Sequence, residues 1–320
     1  MNKKINLLIT GGAGFIGSNL VEQFLEDDRI GLVRVLDNLS NGYIENIQGF
    51  FDHPRFEFYQ GDIRDFETCL KACEGIDKIS HQAALGSVPR SIENPILSTE
   101  VNILGTVNLM FAAVQQNVER VVLAFSSSTY GDHPSLPKVE EFTGTPLSPY
   151  AVTKAAIEQF ALVFGKTYGL NWIGLRYFNV FGPKQNPKNP YAAVIPIFFD
   201  CIMSEKPITV HGDGTTTRDF TYVENVKHMN ELSLFTENKL ALNQVYNTAC
   251  GEQISLQRVI ETIEMISGKK AEIIYVEKRD GDIDHSLADI VKANKNLGYT
   301  PTTKFEEGMR RVHNWLENRT

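Results

Sequence analysis

Ile5-Asn6-Leu7-Leu8-Ile9-Thr10-Gly11-Gly12-Ala13-Gly14-Phe15-Ile16-Gly17-Ser18 joins a short apolar run to glycines spaced G-x-x-G-x-x-G. The run is strand-like, and the pattern after it, Phe15–Glu26, predicts a helix. Glycines at the junction let the backbone turn tightly and approach a pyrophosphate, whose charge then sits at the helix N-terminus. A glycine triplet alone is often only a turn; here the strand and the helix flank it in the required order.

The same alternation continues outward. Leu32–Leu36, Phe56–Tyr59, Lys78–His81, Val121–Ser126 and Trp172–Arg176 read as strands, and Phe66–Ala72, Ile96–Gln116 and Ala151–Tyr168 as helices. This order predicts an α/β fold, a Rossmann-type doubly wound parallel sheet with helices on both faces. After Phe181, Gly-Pro, Asn-Pro and Gly-Asp-Gly clusters break the pattern. An exposed loop is expected over Gly182–Ala193. Residues 1–180 are expected to form the cofactor-binding domain, and 181–320 mainly a smaller mixed C-terminal substrate-binding lobe, with some segments returning to the main sheet.

A chain of 320 residues, 42% of them hydrophobic, can bury a large core. The net charge of -8 weighs against a nucleic-acid partner, so an anionic ligand needs individually placed cations. Cys69 and Cys73 stand at C-x-x-x-C spacing in a helical segment with no Cys/His partners nearby, and read as small packing residues rather than a metal site. With Cys201 and Cys250 they suit a reducing cytoplasm. The apolar run after Lys4 is too short for a signal peptide, and no run reaches the ~18 apolar residues of a membrane span, so no membrane partner is expected.

Asp37 follows the second predicted strand, where a carboxylate accepts from ribose hydroxyls and repels the extra phosphate of NADP; NAD is the expected cofactor. Asp62 is placed to meet the adenine. Tyr150 and Lys154 share one helix face at i,i+4. A free tyrosine titrates near ~10, so a nearby ammonium and a cationic nicotinamide are expected to stabilise its phenolate. The strand Val121–Phe125 ends in Ser126-Ser127-Ser128-Thr129-Tyr130, hydroxyls at the end of a strand where open sheets bind ligands. His81 and His313 read as packing residues.

In this order, these pieces resemble the extended short-chain dehydrogenase/reductase family over nearly the whole chain. Ser127-Ser128-Thr129-Tyr130-Gly131-Asp132-His133-Pro134, Leu175-Arg176-Tyr177-Phe178-Asn179-Val180-Phe181-Gly182, Arg218-Asp219-Phe220 and Arg279-Asp280-Gly281-Asp282 are similar to UDP-hexose 4-epimerases, most of all the bacterial UDP-N-acetylglucosamine branch. The resemblance implies Tyr150, Lys154 and Ser126 as catalytic residues. Beside Tyr150 and Lys154 it assigns the cofactor to Gly11, Gly14, Phe15, Ile16, Gly17, Asp37, Asn38, Asp62, Ile63, Gln82, Ala83, Ala84, Asn102, Tyr177 and Phe178. It assigns the UDP-sugar to Ser87, Ser127, Ser128, Asn179, Val194, Arg218, Arg279, Asp282 and Ser286.

Related dehydratases carry acidic residues where Ser127 and Ser128 stand, so dehydration is not expected. Ser286 occupies the pocket-size position, and a small residue there admits an N-acetyl group. His211 departs from the aromatic or Asn common near the uracil. A UDP-glucose/galactose or UDP-glucuronate 4-epimerase is the nearest alternative. A non-catalytic NAD-binding regulator on the same fold need not retain Tyr150 and Lys154. The resemblance also implies a homodimer, through the helix starting near Asn94 and the helix carrying Tyr150.

Overall fold

The computed structural model describes residues 3–189, 192–278 and 283–318. Seven strands form one all-parallel sheet: β1 (Ile5–Thr10), β2 (Ile30–Asp37), β3 (Phe56–Gln60), β4 (Lys78–His81), β5 (Arg120–Ser126), β6 (Trp172–Tyr177) and β7 (Gln244–Thr248). Their spatial order is β7-β6-β5-β4-β1-β2-β3. The order reverses between β1 and β4, which opens a crevice at the carboxyl ends of the strands.

Alternate residues of β1 feed opposite layers. Leu7 and Ile9 pack with Leu20, Val21 and Phe24 of α1 (Phe15–Glu26), whereas Leu8 packs with Cys69, Leu109 and Ile157. Because both faces are covered, the strands read as apolar runs rather than alternating ones. Each fully buried leucine contributes roughly 1.5–3 kcal/mol. Cys69 and Cys73 are free, buried thiols within this core.

Helix α2 spans Phe66–Ala72. The expected helix near Ile96 exists as α4 (Pro95–Gln115), preceded by a short α3 (Val88–Glu93). Two local features went unread in the sequence. Ser87 caps α3 by accepting from the Arg90 amide at 3.2 Å, and α4 contains a π-helical turn at Glu100–Leu104. By length and composition alone α4, 21 residues with an 18-residue window of mean hydropathy 1.3, would suffice to cross a membrane. Here its inner side, with Leu109, Met110 and Ala113, is core.

Helix α5 (Pro149–Tyr168) starts where the Ser148 hydroxyl accepts from the Ala151 amide at 3.1 Å and Pro149 occupies the first turn. It ends at Gly169, which adopts a left-handed φ of 69°.

Beyond β6 a separate cluster gathers Phe181, Phe199, Val210, Phe220, Ile260 and Phe305. Residues 244–248 leave that region and pair with β6 from Ile173 to Tyr177, as β7. The described part of Gly182–Ala193 has neither helix nor strand, but most of it is half-buried rather than exposed. Lys184 ties it to Glu22 at 3.1 Å and Asn186 to the Tyr43 hydroxyl at 2.8 Å.

Candidate active site

A cleft of about 1010 Å³ at the carboxyl ends of the strands is lined by the β1–α1 turn, by the turn after β5 and by Arg218, His285 and Ser286. Ligand pockets commonly measure about 300–1,000 Å³, so this one has room for a dinucleotide and a second nucleotide together.

The β1–α1 turn needs its glycines. Gly11 has φ 67°, and a Cβ there would lie 2.7 Å from the Ala83 amide nitrogen; one on Gly17 would lie 2.1 Å from the Gly11 carbonyl oxygen. The start of α1 has no side-chain cap and no acidic residue in its first turn, leaving its amides to an anion. Asp37 accepts from the amides of Ala13 at 2.9 Å and Leu39 at 2.8 Å, so it also braces the turn. Burial pushes its carboxyl pKa up. Asp62 is held by Arg64 at 2.8 Å and Asn38 at 2.8 Å, and the Arg64 contact draws its pKa down to about 2. Glycine cradle, uncapped helix start and carboxylate after β2 together fit a dinucleotide.

Deeper in the cleft, α5 presents Tyr150 and Lys154 beside the turn after β5. The Lys154 ammonium donates to the Ala124 carbonyl at 2.7 Å and stands 6.0 Å from the Tyr150 ring centre. Burial lowers its pKa to about 8, partly offset by the Glu158 carboxylate. Burial also pushes the Tyr150 phenol up, and the group that opposes this is the Ser126 hydroxyl, not Lys154. The expected lowering by the ammonium is therefore not realised in the protein alone, because that ammonium is anchored on β5. Ser126 accepts from the Ser128 amide at 3.1 Å, while the buried Ser128 hydroxyl has no partner.

Gly11, Gly14, Phe15, Ile16, Gly17, Asp37, Asn38, Asp62, Ile63, Gln82, Ala83, Ala84, Tyr177 and Phe178 all line this one cleft, with Ser87, Ser126, Ser127, Ser128, Tyr150, Lys154, Asn179, Arg218 and Ser286. Tyr177 is locked by Gln82 at 3.2 Å and Asn230 at 2.9 Å. Arg218 donates to the Thr217 carbonyl at 2.9 Å.

Asn102 does not itself appear on the cleft wall. Its buried amide accepts from the Leu85 amide at 2.8 Å and donates to Thr153 at 3.1 Å, so it positions the 83–87 segment from behind instead of lining the cleft. Val194 opens the helix Val194–Met203, and its neighbour Ala193 lines the cleft. Arg279 and Asp282 lie outside the described residues. His81, wholly buried, bridges Thr10 at 2.6 Å and Thr106 at 2.9 Å, and burial drops its pKa to about 3. No metal-binding group of His, Cys, Asp and Glu occurs among the described residues. Lys138 and His285 also line the cleft, and no motif pointed to either.

The putative UDP-glucose 4-epimerase of Methanocaldococcus jannaschii is 35% identical over 314 residues, covering 98% of each chain. A UDP-N-acetylglucosamine 4-epimerase from Methanobrevibacter ruminantium, solved with UDP-N-acetylmuramic acid, matches with TM-score 0.93 at 36% identity, over 99% of this chain and 100% of that one. The UDP-glucuronic acid 4-epimerase of Bacillus cereus, solved with UDP-glucuronic acid and NAD, matches with TM-score 0.92 at 31% identity, over 99% and 100% of the two chains. The family model described as GDP-mannose 4,6 dehydratase covers residues 8–312. With that match joined to the glycine turn and the Ser126–Tyr150–Lys154 grouping, the chain belongs to this family of extended short-chain dehydrogenase/reductases.

Proposed function

We propose that the chain is an NAD-dependent UDP-sugar 4-epimerase that interconverts UDP-N-acetylglucosamine and UDP-N-acetylgalactosamine. The observation that carries the reaction type is the convergence of Ser126, Tyr150 and Lys154 on one cleft with the glycine turn. Bound NAD supplies a hydride acceptor that returns the hydride, and its cationic ring favours ionisation of the nearby phenol. Tyr150 takes the proton of the sugar C4 hydroxyl, with Ser126 sharing it, and gives it back after the 4-keto sugar has turned over. Lys154, fixed on Ala124, would contact the cofactor when it is bound. Arg218 lines the cleft, and its planar guanidinium would hold the diphosphate while the sugar rotates. Ser127 and Ser128 offer hydroxyls and no acid, which favours epimerisation over dehydration.

Support for an acetamido sugar is the small Ser286 on the cleft wall. An NMR assay of the H4 and anomeric signals with UDP-N-acetylglucosamine, UDP-glucose and UDP-glucuronate tests the reading. Ser286→Tyr is expected to cut the kcat/KM ratio of the acetamido sugar to UDP-glucose by about 10–200-fold, the range open to a pocket-size change. A ratio unmoved by the substitution would remove Ser286 from the specificity argument.

The same reading includes a homodimer. Ile92, Ile96, Leu104, Val152 and Val163 leave 48–72% of their surface exposed on α3, α4 and α5, an apolar face suited to a second copy. Light scattering at micromolar concentration is expected to give twice the chain mass, and Val163→Glu to give the single mass. A wild-type monomer would refute this.

A further inference from the structure

Lys138 lines the cleft and is rooted beside the segment that carries Ser286. Its amide donates to the Leu287 carbonyl at 2.7 Å, and its carbonyl accepts from the Asp289 amide and the Asn247 side chain, each at 2.9 Å. These bonds set it against the segment that carries Ser286. It lines the same wall as Ser128, Tyr130 and Gly131, the turn that follows Ser126.

The residue is only 5% exposed, yet no carboxylate among the described residues pairs with its ammonium; the one acceptor it reaches is the His133 carbonyl. An ammonium has three donors to satisfy. The nearby acids are engaged elsewhere: Glu140 accepts from the Asn247 amide at 2.8 Å, Glu141 pairs with Lys292 at 3.3 Å, and Asp289 accepts from the Val291 amide at 2.7 Å. Burial without a counter-ion lowers the ammonium pKa. Buried lysines are almost always paired, since an isolated buried charge is costly. A chain that keeps one facing a ligand cleft leaves the counter-charge to the ligand. Ser128, which lines the same cleft, has a buried hydroxyl that is likewise without an acceptor.

We infer that Lys138 is a specificity-determining residue of the sugar pocket and that its ammonium receives a carboxylate carried by the sugar. The inference rests on the UDP-sugar 4-epimerase reading and deepens it. Ser286 leaves room for an acetamido group, and Lys138 answers an acid, so one sugar can carry both. The diphosphate is the other anion of the substrate, but the bond from the Lys138 amide to the Leu287 carbonyl sets Lys138 beside Ser286.

The test compares matched pairs on the NAD-loaded full chain: UDP-glucuronate against UDP-glucose for a ring carboxylate, and UDP-N-acetylmuramate against UDP-N-acetylglucosamine for an ether-linked one. Wild type is expected to favour the acid in at least one pair. Lys138→Met should lower that acid-to-neutral kcat/KM ratio at least 30-fold, and Lys138→Arg should restore most of it. Ratios that stay within threefold of wild type in both pairs would overturn the inference, and so would a wild type that favours the neutral sugar in both. Turnover of a neutral sugar by Lys138→Met shows that the variant folds; if it fails, Lys138→Gln replaces it. If wild type epimerises none of the four, the epimerase reading fails. Calorimetric titration with the same four ligands then decides the inference by itself: acid affinity lost in the variant supports it, and equal affinity overturns it.

Discussion

Replacing Tyr150 by phenylalanine is expected to lower 4-epimerase kcat by about 10²–10⁴-fold, the range for removing a positioned acid–base group. The substitution deletes one oxygen from a helix that Ser148, Pro149 and the Lys154–Ala124 bond hold in place. The phenol stands in a buried setting that pushes its pKa up, and Ser126 is the protein group that works against this. Proton transfer at C4 thus has no substitute of matching reach. NMR conversion of UDP-N-acetylglucosamine over hours reads the loss. A variant retaining a tenth of wild-type turnover would move the acid–base role to Ser126.

The second large effect is expected one helical turn further along α5. Arg176 on β6 grips Glu158 with both arms, at 2.9 Å and 2.7 Å, with the side chains 4% and 8% exposed. The guanidinium also donates to the Glu140 carbonyl at 3.1 Å and lies 4.7 Å from the Tyr130 ring centre. One buried ion pair therefore fixes the catalytic helix to β6 and to the turn after β5. Glu158→Gln leaves Arg176 buried and unmatched, and breaking such a pair costs about 3–5 kcal/mol.

Its second consequence is electrostatic. Burial lowers the Lys154 pKa to about 8, and the Glu158 carboxylate is the group that holds it up against that pull. Neutralising Glu158 removes this support, so Lys154 gives up its proton at lower pH. The alkaline limb of the kcat/KM profile is then expected to start below pH 8, moving toward acid. Thermal unfolding reads the stability loss and a pH series reads the limb. A limb that stays in place while stability falls would make Glu158 purely a strut.

Much of this was legible beforehand because it is local. The β1–α1 glycines, the apolar runs of β1 to β6 and the Tyr150–Lys154 spacing each follow from steric or helical period rules that act within a few residues. What stayed hidden depends on distant partners. Asn102 occupies a position that the family resemblance assigns to cofactor, but Leu85 and Thr153 claim its amide. The effect of Lys154 on Tyr150 could not be read from i,i+4 spacing, since the Ala124 carbonyl decides where the ammonium goes. Lys138 carries no motif; its meaning comes from burial without a counter-ion. The π-helical turn in α4 is likewise unmarked in a window whose apolar pattern suits an ordinary helix.

Strand β7 has a bearing on how chains of this kind can be recombined. It enters the sheet only at residues 244–248, after the chain has already contributed α6 (Val194–Met203) and α7 (Val223–Phe235) beyond β6. Its Asn247 accepts from the Tyr130 hydroxyl at 2.7 Å and donates to the Lys138 carbonyl at 2.9 Å, so it backs two cleft-lining residues from the sheet's edge. A chimaera joined near residue 181 would import the edge strand, and with it the backing of the pocket, from a foreign parent. Junctions that carry residues 120–250 as one inheritance block keep the catalytic turn and its support together. If the proposed roles of Ser286 and Lys138 hold, substrate preference is to be grafted through such side chains and not by exchanging a C-terminal piece.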